Sequence, residues 1–178
     1  MKWTESTVTK LLITDAPKLD PVTVYLENYN LGQGKLTIEV FGESWSASWG
    51  AMGSRNLEQF VLDCDNHYLS KNLATLSALS EEDYEGFVDN IRSNIVEWRR
   101  NGDYEKSEAR ELWELTKEIE PEKEYFHSES NHDLLYKLGG CEWYHYIPSK
   151  DSSVGIYLDR ILDAVKSCLK ERETKKAA

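Results

Sequence analysis

The apolar residues of this chain change their spacing once, near Gly53, and that change limits the fold more than any other feature. Before it they alternate. Val22, Val24 and Leu26 oppose Thr23, Tyr25 and Glu27; Leu36, Ile38 and Val40 oppose Lys35, Thr37 and Glu39; Trp45, Ala47 and Trp49 oppose Ser44, Ser46 and Ser48. Successive side chains on a strand point to opposite faces, so each segment predicts a strand with one face covered. Thr7–Asp15 is a further candidate strand. Pro17, Asp20 and Pro21 mark the connection after it, and Asn30–Gly34 and Gly42-Glu43 supply turns. The expectation is an antiparallel meander of three to four strands.

Beyond Gly53 the spacing becomes helical. Leu57, Phe60, Val61, Cys64 and Tyr68 follow the i, i+3, i+4 pattern of one amphipathic helix. Ser80 followed by Glu81, Glu82 and Asp83 reads as a capped helix start. Tyr84, Phe87, Val88, Ile91, Ile95 and Trp98 then form a stripe that ends at Asn101-Gly102. A third helix is predicted from near Glu105 to Glu120, burying Ala109, Leu112, Trp113 and Ile119, with Pro121 stopping it. Residues 122–131 read as loop, His132–Leu138 as a short helix, and Cys141–Ile147 as a strand or extended arm. Val154–Leu169 is the last helix, with Leu158, Ile161, Leu162, Val165 and Leu169 inward. Strands first and helices after is the α+β arrangement. The expectation is a single α+β domain over residues 1–178, with 1–53 mainly β, packed against four to five helices in 54–173, whose acidic middle spans 80–145.

Charge narrows the function. The net charge is −11, and residues 80–150 hold 18 acidic against 9 basic side chains. Direct nucleic-acid binding is disfavoured, because phosphates are gripped by Lys and Arg. A basic protein partner suits the field better, although acidity also serves solubility alone. No apolar run approaches the ~20 residues of a bilayer span, and no secretory leader is visible. Cys64, Cys141 and Cys168 are far apart and in no CxxC pair, which points to a reducing compartment rather than a disulfide framework or zinc knuckle.

Four places invite a site. Trp45 and Trp49, with Gly50 and Gly53, suggest an aromatic corner for a small ligand or nucleotide, weighed against a plain strand-to-helix corner packed under two indoles. Asp63, Asp65 and His67 are metal-compatible, with Asp63 and His67 one turn apart if the helix is continuous, but EF-hand spacing is absent and no metal is called for. Cys141 and His145 lack a third orienting residue, so catalysis has no support; no cofactor motif such as GxGxxG or GxxxxGK[ST] occurs. Glu111, Glu114 and Glu118 fall near one face of the predicted third helix, about 6 Å apart per four residues, with Glu122 just beyond. An acid row of that kind can meet a surface that ordinarily holds phosphates. An extended aromatic arm at 141–147 would also offer an edge for a homodimer.

The segments LLITDAPKLDPVTVYLEN, KLTIEVFGESWSASWGAMG, FVLDCDNHYLSKNL and YLDRILDAVKSCL resemble a family of small proteins encoded by phages and prophages. The resemblance covers roughly the first 75 residues and the last helix, and leaves out the acidic middle. It carries no catalytic residues. It implies an accessory gene product working in the host bacterial cytoplasm, a class that often inhibits host defence. Joined to the acidic middle, it implies a non-enzymatic anti-CRISPR or anti-restriction inhibitor that occludes a basic, nucleic-acid-binding surface.

Overall fold

The alternating segments pair in sequence order. Strands β1 (Thr9–Ile13), β2 (Val22–Asn30), β3 (Gln33–Val40) and β4 (Glu43–Trp49) make a four-stranded antiparallel sheet, ordered β1-β2-β3-β4, in a computed structural model that describes residues 1–3 and 5–177. The register sets Val24 opposite Ile38 and Ile38 opposite Trp45, so the apolar sides of neighbouring strands share one face. A slip of one residue would turn that whole face to water. On the other face Lys10 lies over the ring of its partner Tyr25 at 5.6 Å, and the Tyr25 hydroxyl donates to Glu39 at 3.3 Å. β3 and β4 join through Phe41 (φ 50°) and Gly42 (φ 84°), a two-residue turn with both central residues left-handed. That geometry suits the sheet twist but strains any residue other than glycine or asparagine.

Three helices follow: α1 (Leu57–Asp63), α2 (Asn66–Leu73) and α3 (Leu76–Leu79). The single helix expected from Leu57 to Tyr68 is therefore two. Cys64 turns extended (ψ 148°), and the Asp65 carboxylate accepts from the Tyr68 amide at 2.6 Å, capping α2. The freed Cys64 carbonyl accepts from Lys166 at 2.6 Å. The expected stripe does not survive the break: α1 buries Leu57, Phe60 and Val61, whereas α2 buries Leu69 and Leu73 and leaves Tyr68 exposed.

The chain continues through β5 (Ser80–Glu82), α4 (Tyr84–Asn101), α5 (Lys106–Leu115), a 3-10 turn at Thr116–Glu118, α6 (Lys123–Phe126), a 3-10 turn at Glu129–Asn131, α7 (His132–Gly139), a 3-10 turn at Trp143–Tyr146, β6 (Ser149–Asp151) and α8 (Ser153–Ala177). Ser80 does not cap α4. It belongs to β5, which pairs with β6, and Asp83 caps instead, accepting from the Gly86 amide at 3.1 Å. The third predicted helix stops early: α5 ends at Leu115 and tightens into the 3-10 turn, where the buried Thr116 hydroxyl donates to the Trp113 carbonyl at 2.7 Å. Ala109 and Ile119 are buried as expected, whereas Trp113 is exposed. The polar stretch 122–131 is not all loop, since α6 turns Phe126 into a core. Cys141–Ile147 is neither strand nor arm. The 3-10 turn sends Trp143 inward and leaves Tyr144 and Tyr146 outside, so the edge that argued for a homodimer is not formed.

Contacts gather into two compact units, Met1–Ser80 with Asp151–Ala178, and Glu81–Lys150. In the first, the covered sheet face packs with α1, α2 and Leu158, Ile161, Leu162, Val165 and Leu169 of α8, all five buried as the spacing predicted. In the second, Tyr84, Phe87, Val88, Ile91 and Ile95 of α4 pack with Ala109, Ile119, Phe126, Leu135, Leu138 and Trp143. Strands preceding helices around such cores is the α+β class.

Candidate functional site

The tryptophan corner belongs to the sheet unit. Trp49 is 8% exposed and tilts against Phe60, ring centres 5.4 Å apart, while Trp45 is half-buried on the same face. The small residues after it do make a close backbone approach, and it is to the protein itself. The Met52 amide donates to the Gly32 carbonyl at 2.8 Å, the Gly32 amide donates to the Arg55 carbonyl at 3.2 Å, and a Cβ on Gly32 would strike the Gly53 carbonyl. A Cβ on Gly50 or Gly53 would meet nothing within 4 Å. The segment thus locks onto the β2–β3 turn. Buried in the same corner, the Trp49 indole N–H has no hydrogen-bond partner among the described residues.

Asp63, Asp65 and His67 do not share a helix face, because α1 ends between them. Asp63 pairs with Arg55 at 3.3 Å, Asp65 caps α2, and His67 is exposed on α2. Burial pushes the Cys64 thiol up, away from a reactive thiolate. Cys141 is exposed, and the His145 ring lies against Tyr144 at 4.3 Å; no hydrogen bond joins Cys141 to His145 among the described residues. A titratable cluster absent from the sequence reading sits at the start of α4. The buried Tyr84 hydroxyl donates to the Glu82 carboxylate and lies 3.5 Å from His127 Nε2. Burial first, then that hydrogen bond, pushes the Tyr84 phenol up to about 12.

Glu111 and Glu114 lie on α5, Glu118 on the 3-10 turn after it, and Glu122 beyond Pro121. The tighter turn interrupts the even rise expected of one helix. The chain's own lysines hold two of the four: Lys137 reaches Glu111 at 3.2 Å, and Lys117 donates to Glu114 at 2.6 Å, lowering its pKa. Glu118 and Glu122 are in no ion pair among the described residues, and neither are Glu120 and Glu124 beside them. Burial first and then the field of Glu118 and Glu120 pushes the Tyr125 phenol up. Of the 18 carboxylates in Glu81–Lys150, 17 are exposed and Asp83 is half-buried; 13 take part in no ion pair among the described residues.

Sequence reasoning also missed a cavity of about 300 Å³ between α4 and α5, lined by Ile95, Val96 and Arg99 on one helix and Lys106, Ala109, Arg110, Trp113 and Glu114 on the other. The i, i+3, i+4, i+7 spacing of Lys106, Ala109, Arg110 and Trp113 was the available signal.

These features define an α+β protein with its acid concentrated on a helical unit. The chain belongs to a phage family: the family model Phage_phiTE_072, described as a phage family, matches residues 1–171. The match therefore runs through the acidic unit, which the resemblance read from sequence segments left out. No curated protein and no solved structure matches the chain. Among the described residues, no helix is long and apolar enough to cross a membrane.

Proposed function

We propose that this phage-family protein acts by binding rather than by turnover, as an inhibitor of a host defence system of anti-CRISPR or anti-restriction type. Its acidic unit covers a basic, nucleic-acid-binding surface of a protein in the bacterial cytoplasm. The observation that carries this reading is the state of the carboxylates in Glu81–Lys150, 17 of 18 exposed and 13 without an ion-pair partner among the described residues. Such a surface repels itself and weakens the compact state, and it speeds the approach of a cationic partner. The unit's net charge of −9 also exceeds the magnitude of about 2–8 that keeps a small domain soluble. Within the expected set Glu111, Glu114, Glu118 and Glu122, the last two are free to meet a partner, and Glu120 and Glu124 extend them around Pro121.

The test is affinity capture by the tagged chain from lysate of bacteria carrying active CRISPR and restriction systems, at low and at high salt, read by mass spectrometry. The reading expects one nucleic-acid-handling complex, held at low salt and released at high salt, since exposed charge pairs are screened within about 10 Å at 0.1 M. Absence of any protein partner at either salt contradicts it.

A further inference from the structure

The cavity between α4 and α5 has a composition at odds with its surroundings. The unit holds twice as many acids as bases, so a cation there has acids in excess to pair with. Yet Arg99, Lys106 and Arg110, all exposed and all lining one cavity of about 300 Å³, take part in no ion pair among the described residues. The one acid on the rim, Glu114, is held by Lys117 at 2.6 Å. Helix electrostatics account for Arg99, which sits in the last turn of α4 where a cation is favoured. They do not account for Lys106, which opens α5 at the end that repels a cation, nor for its placement one turn from Arg110, where like charges repel. Between these cations the floor is apolar. Ala109 is the only buried residue of α5, and its small side chain leaves open the space that a larger one would fill against Ile95. Trp113 closes one side while remaining 37% exposed, so part of its indole is open to a flat ligand.

We propose that this cavity is a binding site for a nucleoside monophosphate, its base stacked on Trp113 and its phosphate held by Arg99, Lys106 and Arg110. Aromatic side chains stack any nucleobase, and the planar guanidinium fork matches phosphate oxygens. Three cations around one cavity call for a dianion such as a phosphate monoester rather than a single carboxylate. A volume at the low end of ligand pockets admits one nucleotide and no longer strand, and the unit's overall negative field opposes a polyanion. The site is independent of the acidic face around Pro121, so binding of a nucleotide and capture of a basic protein are separate outcomes.

Calorimetry on the full chain with AMP, GMP, CMP and UMP, and separately with adenosine, inorganic phosphate and benzoate, tests it. The expected result is one monophosphate per chain, with adenosine, phosphate and benzoate each at least tenfold weaker. Arg99→Ala and Arg110→Ala, exposed positions whose folding is checked by thermal melting, each weaken AMP about tenfold or more. Ala109→Phe fills the cavity and removes binding, and Trp113→Phe removes the fluorescence quench on binding. No heat from any of the four monophosphates through the millimolar range overturns the proposal. So does binding that survives the Arg99→Ala/Arg110→Ala double variant, or benzoate or phosphate binding as tightly as AMP. Should Ala109→Phe fail to fold, the arginine variants decide alone.

Discussion

The two compact units solve different problems with different chemistry. The sheet unit, Met1–Ser80 with Asp151–Ala178, joins a meander of consecutive strands to α8 from the far end of the chain and is nearly balanced, with 14 acids against 12 bases. Most of its acids are exposed too, but one of its charge pairs is half-buried, joining Glu58 of α1 to Arg172 of α8. Glu58, which burial alone would push up, is held below the usual carboxylate range by hydrogen bonds from Asn28 at 2.9 Å and Arg172 at 3.2 Å. The acidic unit, Glu81–Lys150, is helical, is organised around stacked aromatics, and keeps nearly all its charge on the outside. Tyr84 stacks on Phe126 at 4.6 Å, and Phe87 meets the same ring edge-on at 5.7 Å. The difference between the units is the balance of charge: 14 acids against 12 bases in one, 18 against 9 in the other.

The largest effects test the cores. Leu162→Ala in α8 and Leu135→Ala in α7, both fully buried, each cost about 2–5 kcal/mol in urea unfolding. A cost below 1 kcal/mol for either would deny that unit a packed core.

The next effect separates the units by pH. The Tyr84 phenol is raised in the folded state, so its contribution is fully present below the unfolded value near 10 and is lost as pH rises through about 12. Between those limits the wild type loses roughly 2 kcal/mol that Tyr84→Phe does not lose. The Glu58 contact works in the opposite direction. Its folded pKa is depressed, so its contribution is present above the unfolded value of 4.5 and fades as pH falls through the folded value. Glu58→Gln removes that acid dependence and leaves the alkaline one. Matching alkaline profiles for wild type and Tyr84→Phe would contradict the assignment.

Smaller effects sharpen the local account. Phe41→Asn relieves a left-handed aromatic that is 82% exposed, and raises stability by about 1 kcal/mol. Asp65→Ala removes the cap of α2 and costs about 1 kcal/mol, whereas Ser80→Ala, which leaves α4 capped by Asp83 and loses only an exposed hydroxyl bond to the Leu76 carbonyl at the end of α3, changes stability by less than about 0.5 kcal/mol.

The same contrast explains what was legible in the sequence. The sheet could be read because strand alternation reports burial directly: Val22, Val24 and Leu26 are buried and Tyr25 is not. The break at Cys64–Asp65 could not, because the apolar spacing continues across it and only the capping carboxylate marks it. In the acidic unit, Trp143 alternates like a strand residue but is drawn inward between Phe87 and Phe126 by a 3-10 turn, a tertiary effect with no local period. The acidity of the candidate face was visible. The pairing of Glu111 with Lys137, 26 residues away, was not. The cationic cavity needed two helices brought side by side before Arg99 and Arg110 could be seen to share it.

The most direct test of the central claim compares matched neutralisations by affinity capture from lysate. One variant carries Glu118→Gln, Glu120→Gln, Glu122→Gln and Glu124→Gln in the acidic unit; the other carries Glu5→Gln, Glu43→Gln, Asp159→Asn and Glu173→Gln in the sheet unit. Both lower the negative charge equally at exposed positions. The account predicts that the first loses the captured partner at least tenfold while the second retains it, with both melting as wild type. Equal loss in the two variants, or retention in both, would contradict a partner surface on the acidic unit.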